Sequence, residues 1–299
     1  MAAFPATHTL NTAAETHTRL AELNRWRLAP CVDSGGWEQR LKREHHLRML
    51  ENRFIEQERQ RLRWRPSEVP TDPDAFVSYF ESLKSRGPGQ GDPLFPWLAQ
   101  HASMEQMRWF LTQESAGEAG FDDLVALTQV KLPNRPKLEL ARNYWDEMGQ
   151  GHEGGMHGLL LDRLNDGLGL QMTKPPVWES LALGNLMLGL ATNRHFAYQS
   201  LGALGAIELT APGRAEHVNA GLKRLGVAGQ VRRYFALHAT LDVRHSAAWN
   251  REVLRPLVAA DAGTAKAIAE GALLRLTAGE RCFARYRREL RLDAESLAS

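Results

Sequence analysis

The segment YFALHATLDVRHSAAW, residues 234–249, carries three candidate metal ligands on one face of a predicted helix. His238, Asp242 and His245 stand at positions i, i+4 and i+7, which an α-helix places on the same side over two turns. The neighbours on that side are apolar, so we expect this face to point into the protein. These neighbours are Phe235, Leu241 and Trp249.

This combination of residues favours a bound metal over ordinary core packing. A single histidine on an apolar face is usually a hydrogen-bonded core residue. Burying an aspartate with two imidazoles, in contrast, costs several kcal/mol unless something compensates for it. A divalent metal does so, because it keeps the carboxylate ionised and the imidazoles neutral. The segment therefore predicts a metal site.

A second candidate segment is NYWDEMGQGHEGGMHGLLL, residues 143–161, in which Glu147 and His157 are the candidate ligands. On an unbroken helix they would lie about 15 Å apart, too far to share a metal. Glycines at positions 149, 151, 154 and 155 predict that the chain breaks here and folds back. An ordinary glycine-rich loop with surface charges is the alternative. The rival ligands in this segment are Asp146, His152 and Glu153.

Two glutamates lie in apolar helical surroundings, Glu114 in WFLTQES and Glu208 in LGALGAIELTAP. Taken alone, each glutamate is weak evidence for a metal ligand, although glutamate is rarely buried without a partner. Together the candidates supply two metals with about three ligands each, and imidazole and carboxylate without thiolate suit iron or manganese better than structural zinc. The predicted ligands are Glu114, Glu147, His157, Glu208, His238, Asp242 and His245.

Composition limits the classes of protein to which the chain can belong. Hydrophobic residues make up 43% of its 299 residues and charged residues 24%, which is ordinary for a globular protein. A formal net charge of +2 argues against nucleic-acid binding. Cys31 and Cys282 lie in no metal-binding spacing and fit a reducing compartment. No signal peptide is visible, and the longest apolar run, Leu181–Ala191, is too short to span a bilayer. We expect a cytoplasmic protein without membrane contact.

Helical periodicity recurs along the chain, whereas strand signals are nearly absent. Helices are predicted at Trp37–Trp64 and near Ala75–Lys84, before a flexible connection at residues 86–93. Further helices are predicted at 103–117, 120–131, 136–148, 155–168, 177–210 with a break near Thr192–Arg194, 213–225, 228–257 and 260–290. The sequence thus predicts an all-α bundle over residues 91–299. A helical extension over residues 1–90 precedes it, and whether this is a domain, a lid or a dimerisation arm is left open.

The order of the candidate ligands resembles a known family. Glu, then Glu-x9-His, then Glu, then His-x3-Asp-x2-His is similar to the pattern of the haem-oxygenase-like di-iron oxidases and oxygenases, also described as iron-containing redox enzymes. The resemblance covers about Leu94–Arg255, and its most family-like stretches are NYWDEMGQG, MH and YFALHATLDVRH. The pattern falls on all seven predicted ligands. The departure is His152, a second imidazole that could replace His157 as a ligand.

This resemblance implies a haem-oxygenase-like helical fold that holds two irons and no haem, with manganese as an alternative metal. It also implies dioxygen, a small-molecule substrate and an external electron donor as partners. Known members oxidise small amines, amino acids or fatty acids, commonly in specialised metabolism. N-oxygenation of a small amine or amino-acid derivative is therefore the first expectation. Desaturation or oxidative carbon–carbon cleavage of an amino or fatty acid is the second, and a homodimer is left open.

Three other interpretations each account for part of the sequence. Ferritin-like di-iron proteins use two Glu-x-x-His pairs, and this chain offers one comparable unit, Asp242-x-x-His245. A metal-free helical enzyme of the same fold, acting on a cofactor precursor or a thiamin fragment, would not need the three ligands of residues 234–249 together. A non-catalytic interaction protein is suggested by the charged helix Trp37–Trp64. Candidates for a substrate wall, for which core packing is the commoner role, are Trp109, Phe110, Tyr144, Tyr198 and Phe235.

Overall fold

The structure is a computed structural model that describes residues 12–32, 35–170 and 174–292. Its main elements are the α-helices α1 (Ala13–Leu28), α2 (Trp37–Arg61), α3 (Pro73–Arg86), α4 (Leu94–Gln100), α5 (Met104–Gly117), α6 (Phe121–Thr128), α7 (Asn134–Glu147), α8 (His157–Leu168), α9 (Trp178–Thr192), α10 (Ala197–Arg224), α11 (Arg233–Trp249), α12 (Arg255–Ala260) and α13 (Thr264–Glu289). Within these ranges the only strand-like pairing is one antiparallel bridge between Met148 and Met156. The prediction of an all-α fold is confirmed.

Helix α10 lies at the centre of the bundle and packs against α13, α11 and α4. Its crossing with α13 is close. A Cβ atom added to Gly202 would lie 1.8 Å from the carbonyl oxygen of Ile268, and one added to Gly271 would lie 1.8 Å from that of Gln199. Glycine is therefore required on both helices, because any side chain there would force the two backbones apart.

Helix α10 continues through Pro212, where the sequence predicted two helices, 177–210 and 213–225, with a break at residues 211–212. Proline inside a helix removes one backbone hydrogen bond. On both sides of Pro212, however, α10 is held by the core, since Leu209, Ala215 and Val218 are buried. Tertiary packing here outweighs the local preference of proline, and the predicted separation was wrong.

The helix boundaries before α10 and after α11 can be compared with the predicted ones. The predicted break near Thr192–Arg194 is confirmed, because α9 ends at Thr192 and a 3-10 turn covers Arg194–Phe196 before α10. The single helix predicted over 228–257 is instead α11, a π-helical turn at Asn250–Leu254, and α12. In the described part of the chain, no helix has both the length and the apolar character needed to cross a bilayer.

Helix α1 is attached to the rest of the protein through α9. Leu20 and Leu23 are buried there. The Asn24 side-chain amide donates to the side-chain oxygen Oδ1 of Asn185 at 3.0 Å, and the Asn185 side-chain amide donates to the backbone carbonyl of His17 at 2.9 Å. Helix α2 packs against α9 and α13. A domain boundary at residue 90 stays a prediction.

Candidate metal centre

The face of α11 that carries His238, Asp242 and His245 points inward, as predicted. The exposed fractions of these side chains are 8%, 4% and 6%, and that of Trp249 is 1%. Helix α11 packs against α10, α8 and α7. The three residues therefore face helices that carry other predicted ligands.

The glycine-rich segment reverses the chain between Glu147 and His157. Helix α7 ends at Glu147 and α8 begins at His157. Between them Gly149 and Gly151 have φ angles of +61° and +84°, in the left-handed region that favours glycine. The bridge between the two methionines closes this loop. Oε2 of Glu147 consequently lies 2.9 Å from Nδ1 of His157, so the predicted fold-back is confirmed.

Two groups of ligand atoms meet at Glu147. In the first, Nδ1 of His157 and Nε2 of His238 lie 3.1 Å apart, and Oε2 of Glu147 is 2.9 Å from the former and 3.7 Å from the latter. In the second, Nδ1 of His245 lies 3.7 Å from Oε1 of Glu147 and 3.5 Å from Oε2 of Glu208. The ligand atoms of each group lie within 4.8 Å of one another. The two oxygens of Glu147 thus face different groups.

These donor atoms fit metal ions. Two nitrogens about 2.1 Å from a metal and at right angles to each other would be about 3 Å apart, close to the 3.1 Å between His157 and His238. Nδ1 of His245 is buried without a hydrogen-bond partner in the described structure, which a metal would provide. Both groups combine imidazole with carboxylate and contain no thiol, a donor set suited to iron or manganese.

The second nitrogen of each imidazole has a partner outside the two groups. Nε2 of His245 lies 3.2 Å from Oδ2 of Asp146, and Nδ1 of His238 donates to the backbone carbonyl of Tyr234 at 2.6 Å. The Tyr234 hydroxyl lies 3.3 Å from Nε2 of His157. Such contacts fix the tautomer and orientation of metal-binding histidines. Each ring is therefore held with one nitrogen aimed at the centre.

Sequence analysis missed Tyr234 and Glu118 in this arrangement. Oε1 of Glu118 lies 3.7 Å from Nε2 of His157, and the Glu118 carboxylate also accepts hydrogen bonds from the backbone N–H groups of Gly120 and Phe121. The sequence signal that could have identified both residues is their helical spacing from predicted ligands. Glu118 follows Glu114 by one helical turn, and Tyr234 precedes His238 by one turn.

Glu114 and Asp242 line the same cavity but belong to neither group. Burial raises the pKa of Glu114, while the positive charges of Arg214 and Arg275 act in the opposite direction. Burial and the negative charge of Glu208 raise the pKa of Asp242 well above its ordinary value. The structure therefore brings together five of the seven predicted ligands, and a ligand role for Glu114 and Asp242 stays a prediction.

The rival candidates of the glycine-rich segment lie elsewhere. His152 and Glu153 are exposed, whereas His157 is buried. Asp146 contacts Nε2 of His245, the nitrogen that points away from Glu147 and Glu208. His157, and not His152, is the imidazole that the loop brings to Glu147.

Buried charges shift the pKa values of the centre. Burial raises the pKa of Glu147, but its interactions with the imidazoles of His157 and His238 outweigh this effect, and the pKa lies well below its usual value. Burial lowers the pKa of His157, yet Glu118 and Glu147 raise it to about 10. Burial lowers the pKa of His245 as well, and Glu208 and Glu147 raise it to about 9. Without a metal the centre thus holds protons, which a metal ion would displace.

A cavity of about 180 Å³ adjoins the centre. For comparison, a cavity of about 150 Å³ in another protein accommodates benzene, so the space suits a small substrate. Phe110 and Phe235, two of the predicted wall residues, line it. Trp109, Tyr144 and Tyr198 do not line it, and Tyr198 is 37% exposed.

Comparison with known proteins gives both a family and a fold. The sequence matches the family described as iron-containing redox enzyme over residues 108–280. It is similar to a crystal structure of a CADD-like protein of unknown function from Nostoc punctiforme, with a TM-score of 0.57 and 21% identity over 73% of this chain and 97% of that chain. A second crystal structure of that protein gives a TM-score of 0.55 and 21% identity over 73% and 95%. At this identity the likeness shows the fold alone. No curated protein matches.

Proposed function

Since the chain belongs to the family of iron-containing redox enzymes and has the predicted haem-oxygenase-like fold, we propose that it is a non-haem di-iron oxygenase that uses dioxygen to oxidise a small molecule. Glu147 carries this proposal. One of its oxygens faces the pair His157 and His238, and the other faces His245 and Glu208. A carboxylate in this position suits two metals that share it as a bridge.

The ligand roles follow from these groups. His157 and His238 would hold one iron, His245 and Glu208 would hold the other, and Glu147 would contact both. Asp242 lies between the two histidines of α11 and is buried. In the absence of a metal its pKa is raised well above the ordinary value, chiefly by burial. A nearby metal charge favours the ionised carboxylate, which supports Asp242 as an additional ligand.

Iron, when bound, supplies the redox chemistry and the open coordination positions that dioxygen activation needs, with electrons from an external donor. The chain's own residues fix the geometry. The Asn143 amide donates to Oε1 of Glu208 at 2.6 Å, which leaves Oε2 directed at His245. Burial raises the pKa of Tyr234 well above its ordinary value, so its hydroxyl keeps its proton and can donate it at the cavity wall. The apolar walls limit the access of water.

Two classes of reaction are proposed, in the same order of preference as in the sequence analysis. N-oxygenation of a small amine or amino-acid derivative comes first, and the limited volume of the cavity supports a small substrate. Desaturation or oxidative carbon–carbon cleavage of an amino or fatty acid comes second. Mass spectrometry of products formed under ¹⁸O₂ separates these reactions, since N-oxygenation retains the label in the product and desaturation does not.

Anaerobic titration with ferrous iron tests the metal centre. We expect the wild type to bind two equivalents, the single variants His238→Ala and His245→Ala to bind about one, and Glu147→Ala to bind neither tightly. His152→Ala removes an exposed imidazole of the same loop and should bind two, which makes it the matched control. No saturable binding by the wild type would contradict the proposal and favour the metal-free interpretation.

A further inference from the structure

The cavity has a cationic end besides its metal-binding end. Arg214 of α10 and Arg275 of α13 line it together with the residues of the candidate metal centre. Burial lowers the pKa of Arg214 to about 10 and also lowers the pKa of Arg275. Enclosed guanidinium groups are costly unless a partner compensates their charge, so their partners decide what this end of the cavity does.

Protein partners satisfy these groups only in part. In the described structure neither guanidinium forms a salt bridge. Nη2 of Arg214 donates to Oγ1 of Thr210 at 3.0 Å, and its guanidinium carbon lies 5.5 Å from the ring centre of Phe283. Nε and Nη1 of Arg275 are buried and have no hydrogen-bond partner. A Cβ atom added to Gly279 would lie 2.9 Å from that Nη1, so glycine leaves the space that the guanidinium occupies.

The guanidinium donors at this end are short of acceptors. The negative charge of Glu114 acts on the pKa values of both Arg214 and Arg275. It leaves Nε and Nη1 of Arg275 buried without a hydrogen-bond partner in the described structure. Arginine presents a planar fork of donors that matches a carboxylate. A carboxylate group of a bound ligand would supply the missing acceptors.

We propose that Arg214 and Arg275 bind a carboxylate group of the substrate and thereby fix its other end at the metal centre. The inference rests on the proposed function for the identity of the reacting end. A carboxylate matches the planar donor fork of arginine and is smaller than a phosphate, which would also bring a second negative charge towards the acids of the metal centre.

The spacing of the two ends sets the length of the substrate. Glu118, the residue directly after α5, contacts His157, while Glu114 lies one turn earlier in α5 and is acted on by the arginine charges, a rise of about 6 Å. On α10, the positions of Glu208 and Arg214 differ by a rise of about 9 Å. The reacting atom and the carboxylate should therefore be several bonds apart, as in a small carboxylic acid or amino acid extended across the cavity.

Benzoate and its neutral analogue benzamide are probes of suitable size. Calorimetric titration of the metal-free wild type should show benzoate binding about 10-fold more tightly or better, since a charge-assisted hydrogen bond contributes at least that factor. Arg275→Met and Arg214→Met should each abolish most of this preference. Arg288→Met removes a guanidinium from the same helix as Arg275 but with a side chain that is 70% exposed, and should retain it. Equal affinity for the two probes, or a preference that survives both cavity variants, would overturn the inference.

A thermal melt tests whether Arg275 has a purely structural role. Because Nε and Nη1 of Arg275 have no hydrogen-bond partner in the ligand-free protein, the melting temperature of ligand-free Arg275→Met should not fall below that of Arg288→Met. A lower value would overturn the inference, because the guanidinium would then be stabilising the fold.

Measurements of iron binding distinguish failure of this inference from failure of the proposed function. Arg275→Met should take up as much ferrous iron as the wild type. If the wild type bound no iron, the proposed function would fail while the result for the metal-free protein still stood. If the benzoate preference arose only with iron and persisted in Arg275→Met, benzoate would be an iron ligand and the inference would fail.

Discussion

Oε2 of Glu147 lies 2.9 Å from Nδ1 of His157, although nine residues stand between them in the chain. A continuous helix would hold the two positions about 15 Å apart. The difference is produced by the loop that begins at Gly149, whose φ angle is +61°. At the other side of this loop Gly155 approaches so closely that a Cβ atom on Gly149 would lie 2.6 Å from its carbonyl carbon. Formation of the centre therefore depends on a backbone conformation and not only on ligand identity.

Substituting Gly149→Ala should disrupt both the loop and the centre. The alanine side chain would clash with Gly155 and would require a strained left-handed backbone, so we expect a loss of about 1–3 kcal/mol in the free energy of unfolding. Iron content should fall at both sites, because Glu147 is shared. Gly158→Ala is the control, since a Cβ atom there meets no heavy atom within 4 Å. Urea unfolding and iron analysis provide the measurements, and full iron content in Gly149→Ala would contradict the role assigned to the loop.

Removing the carboxylate of Asp146 should weaken iron binding without abolishing it. This carboxylate lies 3.2 Å from Nε2 of His245, opposite the nitrogen that faces Glu208. Loss of such a partner commonly costs 10–100-fold in metal affinity. We expect about that decrease at one of the two sites in Asp146→Ala, as measured by anaerobic competition with a chelator. The exposed Asp162 of α8 offers a control in Asp162→Ala, and equal affinities in the two variants would count against this orientation of His245.

Local sequence signals, together with the family resemblance, predicted the residues that meet at Glu147. The i, i+4, i+7 pattern of α11 and the glycines after Glu147 are local signals, and local geometry determines where these side chains point. Arg214 and Arg275 could not be assigned in the same way. Arg214 and Arg275 share a cavity only because α10 and α13 cross closely at Gly202 and Gly271. That contact joins distant parts of the chain, and helical periodicity does not encode it.

The extension of α10 through Pro212 illustrates the same limit. The sequence predicted a break at residues 211–212, whereas the helix continues there between buried flanking residues. Glu118 was missed because its contact with His157 depends on how α5 meets α8.

A buried histidine in α1 should make stability depend on pH. His17 packs against the rings of Phe54 and Trp178, and burial, followed by the charges of Arg281 and Arg61, lowers its pKa to about 4. The unfolded chain therefore binds a proton below about pH 6.5 that the folded chain resists.

The contribution of His17 to stability is fully present above about pH 6.5 and is lost as the pH falls towards 4, with a total on the order of 3 kcal/mol. In His17→Phe this part of the pH dependence should disappear. Denaturant unfolding at pH 5 and pH 7 measures it, with His101→Phe, an exposed position, as the control. An unchanged pH dependence in His17→Phe would show that His17 is not the group responsible.

Mössbauer spectroscopy of protein loaded anaerobically with two equivalents of ⁵⁷Fe(II) and then exposed to dioxygen tests the central claim most directly. If the two groups share Glu147, the oxidised irons should couple antiferromagnetically. The predicted spectrum is a quadrupole doublet with no magnetic splitting at low temperature in a weak field, and the sample should lack a ferric electron paramagnetic resonance signal. Magnetically split ferric spectra from isolated ions, or failure to retain more than one iron per chain, would contradict a di-iron centre built on this carboxylate.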